Sequence, residues 1–131
     1  MSNKWYARTV LFVSDIDRSV DFYVKQLGFI QNWRFLDAEG TPGVAQVARP
    51  GLELILYRSD EWPDKIGKGL TFISLDGEVL KALLTELEER GVDVKDGVWG
   101  YRVMIVMDPD GNELYFPYEE GLQAKGTLQR F

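Results

Sequence analysis

The chain of 131 residues contains no histidine and no cysteine. Without these residues it cannot form a Ser-His-Asp triad, a Cys-His catalytic pair or an ordinary zinc site. A bound metal would need oxygen ligands, which limits the choice to ions such as Mg²⁺, Ca²⁺ or Mn²⁺. The absence of cysteine also excludes a disulfide framework.

Long apolar runs and an excess of positive charge are also missing. The chain carries 15 basic and 21 acidic residues, a formal net charge of −6, which disfavours a nucleic-acid partner because phosphate contacts need a basic patch. The longest apolar runs, such as residues 10–13, are too short to cross a bilayer, and residues 1–6 show no apolar signal segment. We therefore expect a cytoplasmic protein that binds neither nucleic acid nor membrane.

Two parts of the chain repeat the same order of patterns. A strand-like segment, an acidic residue and a helical pattern closed by glycine occur over residues 8–29 and again over residues 69–92. The acidic residues, Asp15 and Asp76, are 61 positions apart. Aspartate before a helix and glycine after it are typical boundary signals. The spacing predicts a tandem repeat.

Three strand-like segments follow each predicted helix, separated by the glycine and proline residues that hairpin turns require. They cover residues 30–36, 44–48 and 52–58, and then 92–94, 101–107 and 113–118, with Asp96-Gly97 read as a turn. The resulting β-α-β-β-β order, found twice, predicts an α+β fold in one domain over residues 1–131. Its modules span about residues 5–60 and 68–119, joined by the charged segment 59–68.

Two segments resemble a known superfamily. Residues 9–23, closed by Leu27-Gly28-Phe29, are similar to the opening module of vicinal oxygen chelate proteins, which include glyoxalase I, extradiol dioxygenases, fosfomycin-resistance enzymes and bleomycin-resistance proteins. Residues 108–114 resemble their last hairpin. The resemblance covers almost the whole chain. It implies two curved mixed sheets that form a cup, usually completed in a homodimer.

Enzymes of this superfamily hold a divalent metal with His, Gln or Glu at four inward-facing positions. Carried onto this sequence, the resemblance puts those positions at Arg8, Glu53, Leu70 (or Gly69 if the register shifts by one) and Tyr115. Only Glu53 offers a ligand of the expected kind, and Arg8 would bring a positive charge towards a cation. Glu113 shares a strand face with Tyr115, so a site from Glu53 and Glu113 stays an alternative. Because the sequence departs in this way from the ligand pattern of the superfamily, we expect no metal, no other cofactor and no catalytic residue.

The candidate ligand-binding residues are polar and aromatic side chains expected on the concave sheet faces or in nearby connections. Trp62 and Trp99 are placed in connecting segments, and Glu53 is expected to face the cup and to pair with Arg8. The full set is Arg8, Phe12, Trp33, Phe35, Glu53, Trp62, Trp99, Tyr101, Glu113 and Tyr115. Aromatic side chains around a cleft can stack planar or cationic ligands. The alternative for each is a half-buried sheet interior, a solvated strand or a dimer interface.

Two acidic segments are interpreted as structural. Residues 108–111 form a much shorter motif than an EF-hand loop and are typical of a tight turn whose aspartates bond their own backbone. Glu86, Glu88 and Glu89 are read as a solvated helix face.

The function predicted is that of a metal-free binding protein of the bleomycin-resistance type. It would sequester a planar or cationic small molecule in an acidic, aromatic-lined cleft of a homodimer. The alternative is a glyoxalase-like or lyase-like enzyme with an atypical metal site, or with acid–base chemistry from Glu53, Glu113 and Tyr115. A third hypothesis is a regulatory protein that uses the cup for protein contacts.

Overall fold

The computed structural model of the protein describes residues 4–118, without the side chains of Trp99 and Tyr101. Its elements are β1 (Thr9–Phe12), α1 (Ile16–Asp21), a π-helical turn (Phe22–Gln26), β2 (Ile30–Leu36), β3 (Pro42–Arg49), β4 (Leu52–Tyr57), a 3-10 turn (Pro63–Lys65), β5 (Leu70–Phe72), α2 (Gly77–Glu89), β6 (Val94–Trp99), β7 (Tyr101–Met107) and β8 (Glu113–Pro117). The polar residues that follow Glu119 in the sequence lie outside the described residues. Within residues 4–118, no helix has the length and apolarity needed to cross a membrane.

The strands form two four-stranded mixed sheets, ordered β1-β4-β3-β2 and β5-β8-β7-β6. In each sheet the strand that comes first in the chain pairs in parallel with the strand that comes last. Thr9 of β1 is in register with Leu54 of β4, and Leu70 of β5 with Glu113 of β8. The other pairs are antiparallel hairpin neighbours. The predicted α+β fold of two tandem β-α-β-β-β units is therefore confirmed.

The helix boundaries follow the local signals. The Asp15 side chain accepts a hydrogen bond from the backbone N–H of Arg18 at 3.0 Å, which caps α1. The helical path continues through the π-helical turn and stops at Gly28, which has φ 73°. Gly91 closes the second helical segment with the same φ. Glycine adopts this left-handed conformation without a Cβ clash.

The prediction of a strand at residues 92–94 and a turn at Asp96-Gly97 is wrong. The strand β6 runs over Val94–Trp99, and the turn comes at Gly100, with φ 71°. A Cβ added at Gly97 would lie 2.6 Å from Cδ1 of Ile105. Glycine at this position therefore allows close packing against β7 and does not mark a turn.

The two sheets share one hydrophobic core. Leu11, Leu54 and Leu56 of the first sheet are 0% exposed, and Leu114 of the second sheet and Leu87 of α2 are 1% exposed. All five belong to one continuous cluster of buried side chains. The helices therefore pack against one face of the strands in both halves of the chain.

The turn between β7 and β8 holds itself together and also contacts the first half. The Asp108 Oδ1 atom accepts hydrogen bonds from the backbone N–H groups of Asp110, Gly111 and Asn112 at 2.9–3.0 Å, so the predicted tight turn is confirmed. The buried Tyr23 hydroxyl donates to Asp108 Oδ2 at 3.0 Å. Burial, with Asp108 nearby, raises the pKa of Tyr23 well above its ordinary value.

The interpretation of Glu86 as part of a solvated helix face is wrong. Its Oε2 atom lies 2.8 Å from Nη1 of Arg49, at the end of β3, and 3.4 Å from Nε of Arg90. The hydrogen bond from Arg49 lowers the pKa of Glu86. Arg49, the nearer partner, comes from the other half of the chain, so no pattern within α2 reveals this contact. Glu88 and Glu89 are exposed as expected.

Candidate functional site

Each sheet turns one face away from the helices, and we call this side its open face. On β1 the alternation of side chains puts Val10, which is 43% exposed, on the open face and Leu11, which is 0% exposed, in the core. On β5 the same alternation leaves Leu70 and Phe72 at 43% and 37% exposure. Exposed apolar side chains grouped on a sheet face are typical of ligand or protein contact.

An aromatic cluster of Phe12, Tyr57 and Trp62 lies at one end of the first open face. The Phe12 ring centroid is 5.5 Å from that of Tyr57 and 5.9 Å from that of Trp62. The Lys65 Nζ atom lies 4.7 Å from the Trp62 ring centroid and 5.5 Å from that of Phe12. These are cation–π distances. The aromatic cluster therefore already binds the Lys65 ammonium group of its own chain.

A polar cluster of Arg8, Gln46 and Glu53 lies on the same face. The Gln46 Nε2 atom donates to Glu53 Oε1 at 2.6 Å, and Arg8 Nε lies 3.6 Å from the same oxygen. The Arg8 guanidinium also sits 4.5 Å from the Tyr6 ring centroid. The ion pair suggested by the sequence therefore forms. The Glu53 side chain is 25% exposed.

Trp33 and Phe35 share a face of β2, as the sequence indicates. Their ring centroids are 5.3 Å apart. Trp33 is in register with Gln46, and Phe35 with Val44, so both extend the open face beyond the polar cluster. Phe35 is 63% exposed. This pair adds a second aromatic surface at the edge strand of the first sheet.

The remaining candidates belong to the second sheet. Glu113 and Tyr115 are half-buried on β8 and pair in register with Leu70 and Phe72 of β5. They are thus on the open face of the second sheet, whereas Glu53 is on that of the first. The fold of one chain does not place Glu113 in the polar cluster.

Two aromatic candidates are described only by their backbone. Trp99 is the last residue of β6, so its expected place in a connecting segment is wrong, and Tyr101 is the first residue of β7. The two are paired in register across the turn at Gly100. The wrong placement of Trp99 and the wrong turn at Asp96-Gly97 have the same cause. The strand β6 continues through Asp96 and Gly97 to Trp99, although these two residues are typical of turns.

The four positions implied for a metal do not fit one. Arg8 brings a guanidinium, Leu70 has no donor atom, and Glu53 Oε1 already accepts a hydrogen bond from Gln46. Tyr115 belongs to the other sheet. Among the described residues, no three His, Cys, Asp or Glu side chains are grouped to hold a metal ion. The donor set is therefore unsuited to a divalent cation.

Two residues of the clusters, Gln46 and Tyr57, and the neighbouring Lys65 are missing from the set predicted from the sequence. Gln46 is 3% exposed and is the one polar residue in the run 44–48. That position indicates a polar contact on the strand face opposite to Ala45 and Val47. Tyr57 is two residues after Ile55 on the Glu53 face, so alternation could have identified it. Lys65 has no such signal, because its position depends on the path of the loop before β5.

A sequence profile of the Glyoxalase/Bleomycin resistance protein/Dioxygenase superfamily matches residues 5–116. The chain belongs to this superfamily. The match confirms the resemblance seen in residues 9–23 and 108–114. No curated protein matches the chain in sequence.

Several solved structures are similar to this chain. TnmS3, an antibiotic binding protein from Streptomyces sp. CB03234, is 28% identical with a TM-score of 0.65, over 92% of this chain and 99% of that one. A bleomycin-binding protein from Streptomyces verticillus, complexed with copper(II)-bleomycin, is 24% identical with a TM-score of 0.68, over 92% and 100%. A glyoxalase/bleomycin resistance protein from Catenulispora acidiphila is 23% identical with a TM-score of 0.67, over 89% and 100%. The last two show the fold alone.

Proposed function

We propose that this superfamily member is a metal-free binding protein that takes up a planar, cationic small molecule on the open face of its first sheet. The aromatic cluster carries the proposal. Its rings already hold the Lys65 ammonium at 4.7 and 5.5 Å. A planar cation offers the same charge with a larger stacking area, so it can replace the lysine and gain apolar contact as well.

The polar cluster supplies the second contact of the proposed site. Glu53 is paired with Arg8 at 3.6 Å, so a positive group of the ligand competes with a guanidinium for this carboxylate. The net charge of −6 favours the encounter with a cation at long range. We infer that the aromatic cluster and the Glu53 carboxylate together supply the two contacts of the proposed site.

The spacing of the two clusters sets the size of the ligand. Arg8 and Phe12 are four residues apart, and Glu53 and Tyr57 follow the same spacing on β4, which corresponds to about 13 Å of extended strand. A compound that stacks on the rings and also reaches Glu53 must span that length. Large, elongated aromatic compounds therefore fit better than small monocyclic ones.

The comparisons support a sequestering role without assigning the ligand. One similar structure, 28% identical in sequence, is that of an antibiotic binding protein. Sequestration requires complementary surfaces but no catalytic group, in agreement with a polar cluster whose carboxylate is already paired.

We further propose that the binding unit is a homodimer. Phe35, Phe72 and Met107 are 63%, 37% and 44% exposed in the single chain, and a second copy could cover the open faces and complete the cup. Sedimentation equilibrium at micromolar concentration should give twice the chain mass of 15.0 kDa. A single-chain mass would contradict the dimer and leave the ligand site of the first sheet to be tested separately.

Calorimetric titration with a matched pair of planar dyes tests the binding function. The cationic 9-aminoacridine should bind saturably and more tightly than neutral acridine at pH 8. Trp62→Ala should weaken binding because it removes a face of the aromatic cluster. Trp5→Ala is the matched control, since Trp5 is 99% exposed and belongs to neither cluster. The proposal is wrong if neither 9-aminoacridine nor bleomycin binds saturably, or if both variants bind equally well.

A further inference from the structure

The two carboxylate oxygens of Glu53 have different surroundings. Oε1 accepts a hydrogen bond from Gln46 Nε2 at 2.6 Å, and Arg8 Nε approaches the same atom at 3.6 Å. No hydrogen bond from any of the described residues reaches Oε2. The protein therefore holds one oxygen, and the other keeps its capacity to accept hydrogen bonds.

The free oxygen of Glu53 reaches the surface of the open face. Within residues 4–118, the fully buried side-chain polar atoms without a hydrogen-bond partner are the hydroxyl oxygens of Ser19 and Thr71. Glu53 Oε2 is not one of them, so it is in contact with solvent. The same holds for Gln46 Oε1, which accepts no hydrogen bond from those residues, although Gln46 as a whole is only 3% exposed. Two acceptors are thus available to a ligand.

Gln46 fixes the position of the Glu53 carboxylate. It is in register with Trp33 of β2 and with Ile55 of β4, so strands enclose it on both sides. A side chain that is 3% exposed in such a packed position has little room to change its rotamer. Its hydrogen bond to Glu53 has a charged acceptor and is therefore of the short, strong kind. Gln46 thus orients the carboxylate so that Oε2 is left for a ligand.

The free oxygens select the kind of positive group that can bind beside them. A primary ammonium or an amidinium has several N–H donors, so it can bond a carboxylate oxygen and a neighbouring carboxamide oxygen at once. A quaternary ammonium has the same charge but no N–H group. It would exclude water from both oxygens and leave them without a partner, which destabilises the complex.

We propose that the polar cluster binds a primary ammonium or amidinium group, whose N–H groups donate to Glu53 Oε2 and Gln46 Oε1. This inference rests on the proposed function. It narrows the ligand class to planar compounds that carry such a group about 13 Å from the stacked rings. Gln46 is then a positioning residue as well as a contact, because it also holds Glu53 Oε1.

Two acridines with equal tails test the proposal on the intact chain. One is 9-(8-aminooctylamino)acridine, which ends in a primary ammonium, and the other is its N,N,N-trimethylated analogue. Both tails are long enough to reach from the aromatic cluster to Glu53. In calorimetric titration at pH 8, the primary ammonium should bind at least about fivefold more tightly, because it alone can form hydrogen bonds with the two oxygens.

Matched methionine variants separate hydrogen bonding from size. Glu53→Met should abolish the preference for the primary ammonium, and Gln46→Met should lower it at least about twofold. Both replace a side chain by an unbranched one of similar length that packs adaptably. Gln31→Met is the control, since Gln31 is an exposed residue of β2 that bonds Arg34; it should keep the full preference. A preference that arises from the bulk of the trimethylammonium group would survive in all three variants and would overturn the inference.

The titration of 9-aminoacridine distinguishes this inference from the proposed function. This compound has no tail and cannot reach Glu53, so its binding reports on the aromatic cluster alone. If it binds while the intact chain shows no preference between the two tailed compounds, only the inference about the polar cluster is wrong. If neither 9-aminoacridine nor the tailed compounds bind saturably, the proposed function is wrong as well.

Discussion

Replacing Lys65 by methionine should strengthen the binding of a planar cation. The Lys65 ammonium occupies the faces of Trp62 and Phe12 at 4.7 and 5.5 Å, so an incoming cation must displace it. Methionine keeps a flexible side chain of similar length but has no charge, and its thioether packs well against aromatic rings. The variant therefore removes the internal competitor and keeps the contact area.

The size of the effect follows from the exposure of the site. Lys65 is an exposed residue, and a cation–π contact at an exposed position contributes about 0.5–1 kcal/mol. Because about 1.4 kcal/mol corresponds to a tenfold change in affinity, loss of the competitor should tighten binding about two- to fivefold. The free energy of unfolding should fall by no more than the same amount.

Calorimetric titration with 9-aminoacridine measures this change. Lys81→Met is the control, since it removes the same charge from an exposed position on α2, away from the aromatic cluster. Both variants change the long-range attraction of a cation equally, so the difference between them isolates the local effect. If Lys65→Met binds no more tightly than Lys81→Met, the cation does not stack on the aromatic cluster and the proposed site is wrong.

Three further predictions concern the carboxylate, the metal positions and the junction between the halves. Glu53→Gln should weaken bleomycin binding about tenfold in a calorimetric titration, with an unchanged melting temperature, because bleomycin is long enough to reach both clusters and the amide keeps the shape of the carboxylate but loses its charge; equal binding would show that this carboxylate takes no part. EDTA should leave the melting temperature unchanged, and a clear fall would reveal a bound metal that stabilises the fold. Tyr23→Phe should lower the free energy of unfolding by about 1–3 kcal/mol in urea, because buried Asp108 Oδ2 loses a donor. Since the pKa of Tyr23 is raised in the folded chain, stability should fall as the pH rises above the ordinary tyrosine value of 10.0, and Tyr23→Phe should reduce that fall.

The parts of the fold that could be predicted from the sequence depend on neighbouring residues. Asp15 caps α1 through the N–H of Arg18, and Gly28 ends the helical path with a positive φ. Both effects act within a few residues, so the local pattern contains them. The wrong turn at Asp96-Gly97 shows the opposite case, because pairing along β7 outweighs the turn preference of that dipeptide.

The candidate site could be predicted in part for a similar reason. Strand alternation puts Phe12 on the open face, and the parallel pairing of β1 with β4 brings Arg8 to Glu53. The contact of Lys65 with the aromatic cluster could not be predicted, because the loop before β5 decides where its ammonium lies. The pairing of Glu86 with Arg49 is likewise a contact between halves of the chain.

The sequence by itself determined the tandem β-α-β-β-β order and which strand faces are apolar, because side-chain alternation and helix capping are local properties. It also limited the chemistry, since a chain without histidine or cysteine lacks the usual ligands and nucleophiles. Only the tertiary structure decided that Gln46 also donates a hydrogen bond to Glu53. Only the tertiary structure, again, left the Thr71 hydroxyl buried without a hydrogen-bond partner. These features arise where segments distant in the chain pack together, and packing at such contacts depends on the shapes of both partners.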